Sequence, residues 1–193
     1  MKRIFYLVAG LSLLACGGHE PVTSSGGASL FAGERALLDA GLGASVEKDL
    51  ATLRRVSAPF HDFETAKRAG WSAQITACMT DPGGAGGMGF HYGNTELING
   101  TASVEAPQLL LYEPEQNGRL RLVAVEYIIP YTFHSRDAEP PVLFGRKFQQ
   151  VDAFQLWGLH AWVWRENPSG MFASWNPAVN CDNSTAVAAM SHN

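Results

Sequence analysis

The feature that most constrains the fold is Phe154 to Cys181, FQLWGLHAWVWRENPSGMFASWNPAVNC, which carries four of the five tryptophans with His160, Met171 and Cys181. Leu156 to Trp164 has the length and aromatic content of a buried strand. A period of two puts Leu156, His160, Trp162 and Trp164 on one side and Trp157, Leu159, Ala161 and Val163 on the other. Asn167-Pro168-Ser169-Gly170 then reads as a turn, because proline presets φ and glycine accepts positive φ, and Trp175-Asn176-Pro177 marks a second bend. If the chain has a site, part of it lies here.

The N-terminus has to be separated from the fold. Lys2 and Arg3 form a basic start, Ile4 to Leu14 is an apolar run too short for a permanent membrane helix, and Leu13-Leu14-Ala15 leads into Cys16. This resembles the lipobox of bacterial lipoproteins, which implies removal of residues 1–15 and lipid attachment at Cys16. An ordinary secretory signal cut elsewhere would keep the same compartment. Gly17 after the cysteine favours the outer membrane, facing the periplasm or the cell surface, if the cell has two membranes. Residues 16–29 follow as a Gly/Ser tether, leaving residues 30–185 as one globular domain and 186–193 as a frayed tail.

Losing Lys2 and Arg3 with the leader moves the formal charge from −4 to −6. With no basic cluster, the chain offers nothing to nucleic acid or to a polybasic membrane contact, so the lipid is the expected membrane link, with protein partners left open. Of three cysteines, Cys16 goes to lipid, and Cys78 and Cys181 remain to form a disulfide, the alternative being a pair of metal-binding thiolates. A bridge across about 100 residues contributes on the order of 4 to 5 kcal/mol through loop entropy.

Along the chain, Ser45 can cap a helix whose Val46, Leu50, Leu53 and Val56 share a face, with Pro59 ending it. A shorter helix runs from about Asp62 to Ala69, with His61 and Asp62 at its start and Gly70 just past its end. Trp71 to Cys78 is a strand or extended connection into the glycine-rich 83–87 loop, which lacks a Walker ending and reads as a turn that lets the backbone pass close to something. Met88 to Tyr92 is a short strand with His91 flanked by Gly89 and Gly93. Leu109–Tyr112 and Arg119–Ile129 form a hairpin through Asn117-Gly118. One face of its second strand is Leu120, Leu122, Ala124, Glu126 and Ile128. A carboxylate in that apolar row must be paired, protonated or bound to a cation, Arg121 and Arg146 being candidate partners.

His91, Glu126 and His160 supply two imidazoles and one carboxylate, the minimum for a transition-metal site with an open position. Met88 and Met171 are possible additional soft ligands that, with Trp162, Trp164 and Trp175 as a dry wall, would suit copper, and the expected ion is copper or zinc ahead of iron. Satisfied core histidines and core-filling methionines would read the same way in sequence. There is no G-x-S-x-G elbow and no recognisable acid/base carboxylate pair, so no catalytic residue is assigned.

Met88-Gly89-Phe90-His91-Tyr92, Val125-Glu126-Tyr127 and the run from His160-Ala161-Trp162-Val163-Trp164 through Asn167-Pro168-Ser169-Gly170-Met171-Phe172 to Trp175-Asn176-Pro177 resemble a group of exported bacterial lipoproteins and secreted proteins. The resemblance implies an extracytoplasmic domain and transfers no activity. The expectation is an α+β fold, N-terminal helices packed on a mainly antiparallel sheet built near 88, 109, 119, 142 and 156, with a small antiparallel barrel as the alternative. The functional expectation is a lipid-anchored cell-envelope binding protein with a metal at His91, Glu126 and His160. Its alternatives are a structural or protein-interaction lipoprotein and a metal-dependent enzyme.

Overall fold

Helical spacing of Val46, Leu50, Leu53 and Val56 produces α1 over residues 43–57 in the computed structural model, which describes residues 43–185. The leader, Cys16, the tether and the 186–193 tail lie outside the described residues. All the described residues belong to one unit, Asp39–Asn193. Leu50 and Leu53 are buried, with Val46 and Val56 packed against the same cluster. Ser45 is not the cap, because the helix already includes residues 43 and 44. With Pro59 near the start of the next segment, α1 passes into a 3₁₀ turn at Ala58–His61. Helix α2, Phe63–Arg68, begins at Asp62, whose carboxylate accepts from the Thr65 N–H. It ends in a Schellman arrangement: Trp71 N–H donates to the Ala66 carbonyl and Gly70 takes φ +109°. No helix among the described residues is long and apolar enough to cross a membrane.

The sheet follows in chain order as β1 (Ala73–Thr80), β2 (Gly87–Gly93), β3 (Leu109–Pro114), β4 (Leu120–Pro130), β5 (Val142–Leu143), β6 (Arg146–Lys147), β7 (Gln149–Val151) and β8 (Leu156–Ala161). Six of these form one curled antiparallel sheet in the order β1-β2-β3-β4-β8-β7. The segment near 142 does not join it; β5 and β6 make a separate hairpin through Phe144-Gly145, both at positive φ. The sheet's edge beside β8 is instead β7.

One face of the sheet, including Phe90, Tyr92, Leu110, Tyr112, Val125, Tyr127, Trp157 and Leu159, shares a core with Leu50, Leu53 and Ala66 of the helices. Tyr112 donates to the Phe60 carbonyl at 2.7 Å, and Trp164 Nε1 donates to Ser57 Oγ at 3.0 Å. A smaller cluster comprises Leu109, Leu111, Val123, Ala124, Ile128, Trp162 and Val179.

Two details correct the strand faces read from the sequence. In β4 the register slips by one residue, Leu111 facing Ala124 and Tyr112 facing Leu122, so Val123 is a bulge. Leu120 and Leu122 consequently pack with the helix-side core, while Ala124, Glu126 and Ile128 lie on the opposite side. In β8 the strand ends at Ala161, and Trp162 N–H leaves the ladder for the Met171 carbonyl. Trp164 therefore joins the helix-side core, not the side of His160.

Cys78 in β1 and Cys181 are bridged across a separation of 103 residues. The glycine-rich loop makes the close approach its composition suggested: a Cβ on Gly86 would overlap the Asn176–Pro177 backbone, and Gly87 pairs with Asn176.

Candidate metal centre

Three neighbouring strand pairings bring the centre together. Glu126 of β4 stands directly opposite His160 of β8. On the other side Glu126 faces Leu109 of β3, while His91 of β2 faces Leu111, so His91 reaches Glu126 diagonally across β3. His91 Nε2 lies 3.6 Å from Glu126 Oε2, and His160 Nε2 lies 3.8 Å from Glu126 Oε1. One ligand atom from each of the three falls within 4.8 Å of the others, and all three residues are buried. These three could hold a metal ion.

The separations are too long for hydrogen bonds. They suit donors arranged around one ion, because atoms each about 2.0–2.2 Å from a metal stand about 3–4 Å from each other. His160 Nε2 is buried and has no hydrogen-bond partner among the described residues. His91 is oriented from behind: its Nδ1 lies 2.8 Å from Thr76 Oγ1, and Thr76 is its cross-strand partner on β1. A hydrogen bond at Nδ1 of that kind fixes an imidazole's orientation and leaves Nε2 for a metal. His160 stacks on Trp162 with rings 6.1 Å apart and 10° from parallel.

Burial dominates the electrostatics. Desolvation pushes the Glu126 carboxyl up to about 8 and the His91 imidazole down to about 4. His160 falls to about 3, through desolvation first and the neighbouring His91 second. Near neutral pH the metal-free cluster therefore holds two neutral imidazoles beside a protonated carboxyl. Neutral imidazole is the form that ligates a metal.

The cluster opens on a cavity of about 350 Å³. Its other walls are mostly apolar, among them Ile75, Met88, Leu109, Ile128, Val151, Phe154 and Trp175, with Thr76, Gln149, Gln150 and Ser174 as polar members. Gly158 matters for room: a Cβ there would come within 3.0 Å of Glu126 Oε1.

No family model, curated protein or solved structure matches this chain. Of the candidates taken from the sequence, His91, Glu126 and His160 converge, and Met88 lines the cavity. Met171 packs against the helix-side core, outside the cavity's lining. Neither arginine considered for Glu126 reaches it: Arg121 pairs with Glu113, and Arg146 lies over the Phe172 ring. Thr76 and Gly158 were missed, since their roles arise from strand register and neither breaks the composition of its own segment.

Proposed function

We propose that this protein is a lipid-anchored metal-binding protein of the cell envelope, holding copper or zinc through His91, Glu126 and His160. The observation that carries the metal reading is the unpartnered, buried His160 Nε2 facing a carboxylate that a second imidazole also faces, all at ligand spacing. A purely structural cluster would be expected to satisfy that nitrogen, because a buried polar atom left alone is costly. Two imidazoles and a carboxylate suit zinc with an open position, and the Met88 thioether in the same cavity would add a soft contact for copper. The compartment is supported by the Leu13-Leu14-Ala15-Cys16 motif, and the Cys78–Cys181 bridge agrees with an oxidising environment.

Elemental analysis of the chelator-free protein, beside His91→Ala/His160→Ala, tests the metal reading. One equivalent of copper or zinc is expected in the wild type and none in the variant, whose folding is checked by circular dichroism. A wild type that takes up neither ion on reconstitution overturns it. Mass spectrometry of the N-terminal peptide tests the anchor: diacylglycerol and acyl mass on Cys16 is expected, and an unmodified cysteine overturns it.

A further inference from the structure

The cavity beside the cluster has an asymmetry that the metal reading alone does not use. Among the described residues, Glu126 is the only acidic or basic residue in its lining, apart from the two histidines. A divalent ion held by Glu126 and two neutral imidazoles would leave one net positive charge facing an apolar chamber. Buried, uncompensated charge is strongly unfavourable, so a monoanion entering an open coordination position would be favoured over water or a cation. The rest of the chamber favours an apolar body behind that head. Its volume of about 350 Å³ is at the small end of organic-ligand sites, about 300–1,000 Å³. Ile75 is 43 % exposed and Phe154 51 % exposed, both large apolar side chains in the cavity lining and left open to solvent.

We propose that the site takes a small monocarboxylate with an apolar body, its carboxylate on the metal and its hydrocarbon against Ile75, Met88, Phe154 and Trp175. This rests on the metal reading above. Met88 then serves as part of the apolar wall or as a soft neighbour of the metal, and Gln149 and Gln150 supply neutral polar groups without cancelling the charge.

Calorimetric titration of the zinc-loaded full chain with acetate, hexanoate and hexylamine tests it. Each additional buried methylene is worth about fourfold in affinity, so hexanoate should bind on the order of 100-fold more tightly than acetate. Hexylamine should bind more weakly than hexanoate, and hexanoate affinity should collapse in the zinc-free protein. Ile75→Ser/Phe154→Ser should weaken hexanoate by about tenfold or more and keep the zinc, since both side chains are already partly solvated. Equal affinity for hexanoate and acetate, or equal hexanoate affinity with and without zinc, overturns the inference and leaves the metal reading standing. A wild type that takes up neither zinc nor copper overturns both, and its elemental analysis identifies that failure separately; one that holds copper but no zinc is titrated with the same ligands in its copper form.

Discussion

At the residue scale, the informative side chain is Glu126, because its acid–base behaviour has opposite signs with and without a metal. In the metal-free domain its carboxyl is raised from 4.5 to about 8 by burial, so between those values the folded chain keeps a proton that the unfolded chain has lost. Its contribution to stability is lost as pH rises through that window. His91 and His160 are lowered from 6.5 to about 4 and 3, so the unfolded chain binds protons that the folded chain refuses. Their effect is a loss of stability as pH falls from 6.5 toward 3. The metal-free domain should therefore have a melting temperature that declines on both sides of mildly acidic pH. Glu126→Gln should flatten the alkaline decline, keep the acid one and abolish metal retention. Metal binding near pH 7 should in turn release about one proton, supplied by Glu126, measurable by calorimetry in buffers of different ionisation enthalpy. An alkaline decline unchanged in Glu126→Gln would mean that Glu126 is already ionised in the folded domain.

At the element scale, the strand β8 places two demands on the sequence, His160 to face Glu126 and Gly158 to leave it space. Gly158→Ala separates them. In a strand interior glycine is about 0.5–1 kcal/mol less favourable than alanine, so if Glu126 and Val151 yield freely the substitution should stabilise the domain. The new methyl would lie 3.0 Å from Glu126 Oε1 and 3.2 Å from Val151 Cγ2; where Glu126 is held in place as a ligand, metal affinity should fall roughly tenfold with little change in melting temperature. A more stable protein with unchanged metal affinity would show that Glu126 can move freely. The same elements show what could be read in advance. Asn117-Gly118 marks the β3–β4 hairpin, Asp62 caps α2, and an acid in an apolar row singles out Glu126, because each is a local departure from its segment's pattern. The bulge at Val123 and the early end of β8 at Ala161 depend on partners: the Leu111–Ala124 slip, and the Met171 carbonyl that captures Trp162 N–H. Periodicity carried unbroken through both points put Leu120, Leu122 and Trp164 on the wrong side. Convergence of His91 with Glu126 across β3 likewise required the strand order, which neither histidine's neighbours encode.

At the scale of the whole molecule, the sheet and the Cys78–Cys181 bridge have separable duties. His91, Glu126 and His160 sit on β2, β4 and β8, which are interior strands with a hydrogen-bonded neighbour on each side. The bridge instead ties β1, an edge strand, to the segment of residues 176–181, and that segment is held further by Asn180 N–H donating to Glu113 and by the Gly87–Asn176 pairing. Removing a crosslink of 103 residues' separation should cost on the order of 4 to 5 kcal/mol by releasing the unfolded chain. For a domain of this size that is a drop in melting temperature on the order of 10–20 °C. Cys78→Ala/Cys181→Ala should show the drop, and the wild type in excess reductant should converge on the same value. Below that lower melting point, however, the variant should still hold one equivalent of metal, because none of the three strands carrying the ligands is anchored by the bridge. Loss of the metal together with the bridge, in a variant still folded by circular dichroism, would instead show that the edge strand β1, through Thr76 at His91 Nδ1, sets the position of the first imidazole.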